Sequence, residues 1–145
     1  MLKYNIAVCD DYNPILIHIS YILKTEFAKT GLNVEITAFD NPISLINSHK
    51  TNKYDVIFLD IEMPDMDGIV AGKIIKNLSS KALIIFLTSK DELVYKSFEA
   101  HPYSFIRKTY MDKEIPKIIN DIKEELSKNE YMLKFKIENI DYKLY

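Results

Sequence analysis

The chain alternates between short, wholly apolar runs and longer segments whose apolar residues recur every three or four positions. Strands buried on both faces of a parallel sheet show no polar alternation, so Val56-Ile57-Phe58-Leu59 is predicted as such a strand, and the run from Asn5 to Asp10 and Ala82-Leu83-Ile84-Ile85-Phe86-Leu87 are predicted as further short apolar strands. Residues 33–39 set Val34, Ile36 and Ala38 against polar neighbours, the pattern of a strand nearer a sheet edge. A short strand over residues 103–107 then delivers Lys108.

Helical spacing fills the intervals. Asn13-Pro14 supplies a cap and a first-turn proline, and the helix from residue 15 to about 29 ends before Gly31. Its Leu16, Ile19, Leu23 and Phe27 form one stripe, while Ile15, Ile22 and Tyr21 spread beyond it. That surplus suits either a deeply buried helix or one that also meets a partner. Asp40-Asn41-Pro42 opens a short helix to about residue 50, and Asp67-Gly68 opens one bearing Val70, Ile74, Ile75 and Leu78. Asp91 is placed to cap a helix through Ala100, broken by His101-Pro102. Asp112 is expected to cap the last helix, which carries Ile115, Ile118, Ile119, Ile122 and Leu126, with Pro116 in its first turn.

Strand then helix, five times over, predicts an α/β fold: a doubly wound five-stranded parallel sheet of the flavodoxin-like kind. Beyond it, residues 131–137 alternate as a strand, Glu138-Asn139 suits a turn, and residues 140–145 could return, giving a C-terminal β-hairpin tail. The expected division is a domain over residues 1–128 and a linker and hairpin over 129–145. A lone hairpin is marginal in water, so the tail should pack on the domain or begin a further one.

Composition narrows the function. At 145 residues, 48% hydrophobic and 28% charged, the chain can bury its own core. Its 19 basic and 21 acidic residues leave a net charge of −2, which argues against nucleic acid as a direct partner of this segment. A single cysteine, Cys9, excludes an internal disulfide and fits a reducing compartment; it is read as a buried strand residue. No apolar run approaches the roughly 20 residues of a membrane span, and the cytoplasm is the expected location, with no membrane partner.

In an open parallel sheet, chemistry collects where the strands end. Asp10 and Asp11 follow the first strand, Asp60 ends the third, Thr88 the fourth, and Lys108 follows the fifth. Each alone is ordinary: acids cap helices, a threonine satisfies backbone, a lysine is solvated. Together they form an all-oxygen set plus an ammonium. Three carboxylates repel unless a cation sits among them, and such a set suits Mg²⁺. A pocket so charged can take a phosphoryl group, with Asp60 as nucleophile, Lys108 neutralising the transferring oxygens and Thr88 donating a hydrogen bond.

These residues, with the run Leu59-Asp60-Ile61-Glu62-Met63-Pro64-Asp65-Met66-Asp67-Gly68, resemble a response-regulator receiver domain over roughly residues 1 to 128. The resemblance implies a phosphoacceptor switch and no turnover enzyme: Asp60 takes phosphate from a sensor histidine kinase, and Asp10, Asp11, Asp60 and the Glu62 backbone carbonyl hold Mg²⁺. It further implies that Thr88 is the switch hydroxyl and Phe105 the switch aromatic, that the first helix docks the kinase, and that the phosphorylated form is a homodimer. Two departures stand out. Thr109 replaces the proline that usually follows the lysine, leaving the isomer of that bond open; Glu62 and Lys90 occupy positions that tune dephosphorylation in the family, and both are expected to be solvated, with a pair across the entrance as the alternative.

The strand end Phe105-Ile106-Arg107-Lys108-Thr109 and the Lys134-Phe135-Lys136 segment together resemble LytTR-type transcription regulators of Gram-positive bacteria, which implies DNA binding through an output domain beyond Tyr145. A stand-alone receiver with a dimerising or swapped tail is the alternative. An Asp-nucleophile phosphatase of the haloacid dehalogenase type would want Asp where Glu62 stands. A nucleotide-binding module would want a glycine-rich loop, and the chain has only Gly31, Gly68 and Gly72. His18, His49 and His101 show no metal-binding spacing.

Overall fold

The computed structural model describes residues 2–143. Its order is β1 (Lys3–Cys9), α1 (Asn13–Ala28), β2 (Asn33–Phe39), α2 (Pro42–Thr51), β3 (Val56–Asp60), α3 (Gly68–Leu78), β4 (Leu83–Thr88), α4 (Glu92–Ser97), β5 (Ser104–Arg107) and α5 (Met111–Lys143), with 3₁₀ turns at Phe98–Ala100 and Lys108–Tyr110. All pairings are parallel, in the order β2-β1-β3-β4-β5, so the alternating strand does lie at an edge and the wholly apolar β3 is central. Every residue of β3 is buried.

Because successive side chains of a strand point to opposite faces, the sheet builds two cores. Ile6, Val8, Val56, Phe58, Ile85 and Leu87 meet α1 and α5 on one side. Ala7, Cys9, Ile57, Leu59, Ile84 and Phe86 meet α2 and α3 on the other. The predicted stripe of α1, Leu16, Ile19, Leu23 and Phe27, is its buried face. Ile15 and Ile22 are half-buried on the same core, while Ile17 and Tyr21 are 63% and 70% exposed.

The C-terminal hairpin is overturned: α5 runs unbroken through residues 129–143. No glycine or proline follows Pro116 to stop the helix. Extending an existing helix adds one hydrogen bond per residue fixed, whereas an isolated hairpin must be nucleated without a core to rest on. Of the expected return strand, Leu144 and Tyr145 lie outside the described residues.

Three helix starts also differ. Tyr12, not Asn13, is the N-cap of α1, and Asp10 Oδ1 accepts the Tyr12 amide instead. Asp91 makes no capping bond. Asp112 lies within the first turn of α5, which puts Pro116 at the sixth helical residue, where the amide it lacks would have bonded to the Asp112 carbonyl. Asn41 and Asp67 do cap, accepting the amides of Ser44 and Ile69. His101 takes φ of 51° at the break before Pro102.

Candidate functional site

β1 and β3 are neighbours, so the residues that end them emerge side by side at the carboxyl edge. Asp10 and Asp60 are 0% and 1% exposed, whereas Asp11 is exposed. One carboxylate oxygen from each of the three lies within 4.8 Å of the others. From β5, Lys108 reaches back over the edge: its Nζ is 2.9 Å from Asp10 Oδ2 and 3.0 Å from Asp60 Oδ1. The sequence therefore brings Asp10, Asp11, Asp60 and Lys108 into one pocket from three strands.

The electrostatics follow from burial. Desolvation pushes the Asp60 carboxyl up to about 6, against the pull of Lys108, and the Asp10 carboxylate adds to the rise. Burial works against the Lys108 charge, but its contacts with Asp10 and Asp60 outweigh it and hold the ammonium above its usual range. One ammonium faces three carboxyl groups, leaving the pocket short of positive charge. Asp10 Oδ2 is buried with only that ionic contact and receives no directed hydrogen bond. A buried carboxylate oxygen with only an ionic contact, within an all-oxygen set, fits a small hard divalent cation such as Mg²⁺.

Thr88 is fully buried at the end of β4, and the Ile61 amide donates to the Leu87 carbonyl just before it, so it stands beside the Asp60 strand end. Its hydroxyl, however, is engaged elsewhere: Oγ1 donates to the Lys90 carbonyl at 3.1 Å and accepts the Lys90 amide at 3.0 Å. Phe105 pairs with Phe86 across β4 and β5, half-buried against the α2–α3 core. It lines a groove of about 460 Å³ with Val94, Tyr95, Phe98 and Arg107. Among the described residues no peptide bond is cis, so the Lys108–Thr109 bond is trans.

One feature has no counterpart in the sequence reading, and one expectation there is reversed. Gly68 presses on the backbone of the acceptor strand: a Cβ there would lie 2.0 Å from the Asp60 carbonyl oxygen, and its amide donates to the Ile61 carbonyl at 2.7 Å. The signal was available, since Asp67-Gly68 was read as a helix start but not as a close approach. Glu62 and Lys90, expected to be solvated, pair at 3.1 Å, and Ser89 Oγ donates to the same Glu62 carboxylate at 3.4 Å. Cys9 is a buried strand residue as expected, its thiol pushed up to about 12 by burial and the nearby carboxylates of Asp10 and Asp60.

A parallel five-stranded sheet with a buried acid pair, a third acid and a lysine at its carboxyl edge is the arrangement expected of a receiver-type module. Residues 6–120 match the model of the response regulator receiver domain, and the chain belongs to that family, the receiver modules of two-component systems. It is 29% identical over 105 residues to protein MrkE of Klebsiella pneumoniae, a match covering 70% of this chain and 39% of that protein. It is also 29% identical over 96 residues to the transcriptional regulatory protein LytR of Staphylococcus aureus, covering 66% of this chain and 39% of the relative. The chain thus spans about two fifths of the curated relatives it matches. Among solved structures, the response regulatory domain of MrkE from Klebsiella pneumoniae superposes with a TM-score of 0.75 at 24% identity, covering 86% of this chain and 98% of that one. The REC domain of AraT from Geobacillus stearothermophilus gives 0.78 at 18%, covering 89% and 99%. Both share the fold. No described helix is long and apolar enough to cross a membrane.

Proposed function

We propose that this chain is a phosphoacceptor switch in which Asp60 accepts a phosphoryl group from the phosphohistidine of a sensor kinase. The observation that carries the reading is the Lys108 ammonium held within 3.0 Å of both buried carboxylates, Asp10 and Asp60, with Asp11 beside them. An Asp60 carboxylate oxygen attacks phosphorus, the P–N bond breaks as the P–O bond forms, and the histidine nitrogen leaves with the electron pair. Lys108, already at Asp60, is placed to neutralise the phosphoryl oxygens and hold the acyl phosphate. Asp10, Asp11, Asp60 and the Glu62 carbonyl would hold Mg²⁺. That ion would supply charge neutralisation on the transferring group. Thr88, once its hydroxyl leaves Lys90, can donate to a phosphoryl oxygen, and the half-buried Phe105 is placed to follow into the vacated space.

The exposed Ile17 and Tyr21 of α1 are the surface offered to the kinase. Downstream, the relative LytR is a transcriptional regulatory protein, which supports control of transcription. A LytTR-type output domain after a receiver over residues 1–128, homodimerisation on phosphorylation and a cytoplasmic setting complete the reading. The phosphatase alternative has less support, because Glu62, two residues after Asp60, spends its carboxylate on Lys90 and Ser89.

Incubation with Mg²⁺ and acetyl phosphate, followed by intact mass, tests the proposal. Wild type should gain one phosphoryl group and Asp60→Asn none; equal gain by both would sink it.

A further inference from the structure

The β4–α4 loop is fastened at two depths by a single residue. Inside, the Lys90 main chain holds Thr88: its amide donates to Oγ1 at 3.0 Å and its carbonyl accepts from Oγ1 at 3.1 Å. Outside, the Lys90 ammonium pairs with Glu62 at 3.1 Å, and neighbouring Ser89 donates to the same carboxylate. Glu62 belongs to the β3–α3 loop, and its own amide donates to Asp60 Oδ1 at 3.3 Å. The two loops that flank the acid pocket are therefore clasped across its mouth.

We propose that the Glu62–Lys90 pair is an autoinhibitory clasp that keeps Thr88 turned away from Asp60 in the unphosphorylated chain. The inference rests on the phosphoacceptor reading above and concerns what opposes switching. A threonine hydroxyl has one proton, and here Lys90 C=O takes it. Thr88 can bond a phosphoryl oxygen only by giving up that acceptor, so either the hydroxyl rotates or the Lys90 backbone withdraws. Withdrawal of the backbone is opposed while the Lys90 side chain is tied to Glu62 and Ser89 to the same carboxylate. The clasp is half-exposed at both ends, with side chains 54% and 38% accessible. A pair of this kind shifts an equilibrium by a small factor, about two- to five-fold, and weakens with salt. That size suits a bias that phosphorylation overrides. Glu62 and Lys90 are positioning residues, their side chains engaged with each other and with Ser89.

The test compares wild type, Lys90→Glu, Glu62→Lys and the double charge swap. Hydrogen exchange of the Lys90 amide is measured in the metal-free, phosphate-free chain, and apparent affinity for beryllofluoride, a non-covalent phosphoryl mimic, in Mg²⁺. Each single variant should exchange the Lys90 amide about two- to five-fold faster, and Lys90→Glu should bind beryllofluoride tighter by a similar factor. The double swap should return the exchange rate to the wild-type value. Unchanged exchange in Lys90→Glu, or a double swap that exchanges as fast as either single variant, would overturn the clasp. Failure of wild type to bind beryllofluoride would instead overturn the phosphoacceptor reading, and the exchange rates would still judge the clasp.

Discussion

The carboxyl edge of the sheet and the far half of α5 both place residues against the ordinary trend, yet they differ in how tightly the rest of the molecule holds them. At the edge, Asp10, Asp60 and Thr88 are almost fully buried polar groups, each placed by a strand with neighbours on both sides. Beyond Leu126, α5 carries Tyr131, Met132, Leu133, Phe135 and Ile137, all apolar and all 45% exposed or more. Polar groups are inside and apolar groups outside, the reverse of the ordinary trend. At the edge the inversion is sustained by dense packing of two cores beneath it. On α5 it is tolerated because the first half of the helix, with Ile115, Ile119 and Ile122 in the core, carries the second. Among the described residues one hydrogen bond reaches the second half from another element, Tyr4 Oη donating to Glu130 at 3.1 Å.

The largest expected effect separates the two halves of α5. Ile122→Ala should cost about 2–5 kcal/mol in urea unfolding, because it empties a fully buried site, while Leu133→Ala should stay within about 0.5 kcal/mol. Equal losses would mean that the far half is packed after all. Next comes Gly68→Ala, whose Cβ would meet the Asp60 carbonyl at 2.0 Å. It should cost about 1–3 kcal/mol and slow phosphate uptake from acetyl phosphate; a variant as stable and as reactive as wild type would show that the acceptor loop moves freely.

The smallest effect concerns the buried carboxyl itself. Since folding raises Asp60 to about 6, the folded chain holds that proton more firmly than the unfolded chain. The resulting stability is present below the ordinary carboxylate range and is lost as pH climbs through about 6. Metal-free wild type should therefore lose on the order of 1 kcal/mol relative to Asp60→Asn between pH about 4 and about 6. A flat difference between the two would place Asp60 in water and erase the contrast with exposed Asp11.

The site was more legible than its resting state. Runs such as Val56-Ile57-Phe58-Leu59 have one reading in an alternating α/β chain, and each site residue sits within two positions of such a run or of β5, so locating the strands located the pocket. The engagement of Thr88 with Lys90 was not legible, because a threonine at a strand end has several partners within reach and spacing does not choose among them. The Glu62–Lys90 pair joins two loops, with Ser89 27 residues from Glu62 and Lys90 next to it, and exposed charges are ordinarily free, so sequence favours solvation over the pair.

The residues by themselves determined the fold class, the edge position of β2, the buried stripe of α1 and the set Asp10, Asp11, Asp60, Thr88 and Lys108. Each follows from local periodicity or from chain order, and parallel βαβ connection leaves little freedom once the strands are known. Tertiary structure decided what those residues touch: which oxygens Lys108 spans, where Thr88 spends its one proton, and how closely Gly68 approaches Asp60. It also decided the tail. Leu133-Lys134-Phe135-Lys136-Ile137 alternates well enough for a strand and contains nothing to stop a helix, and no core neighbour selects a face. Without such a neighbour the preceding helix prevails, because extending it requires no new nucleus.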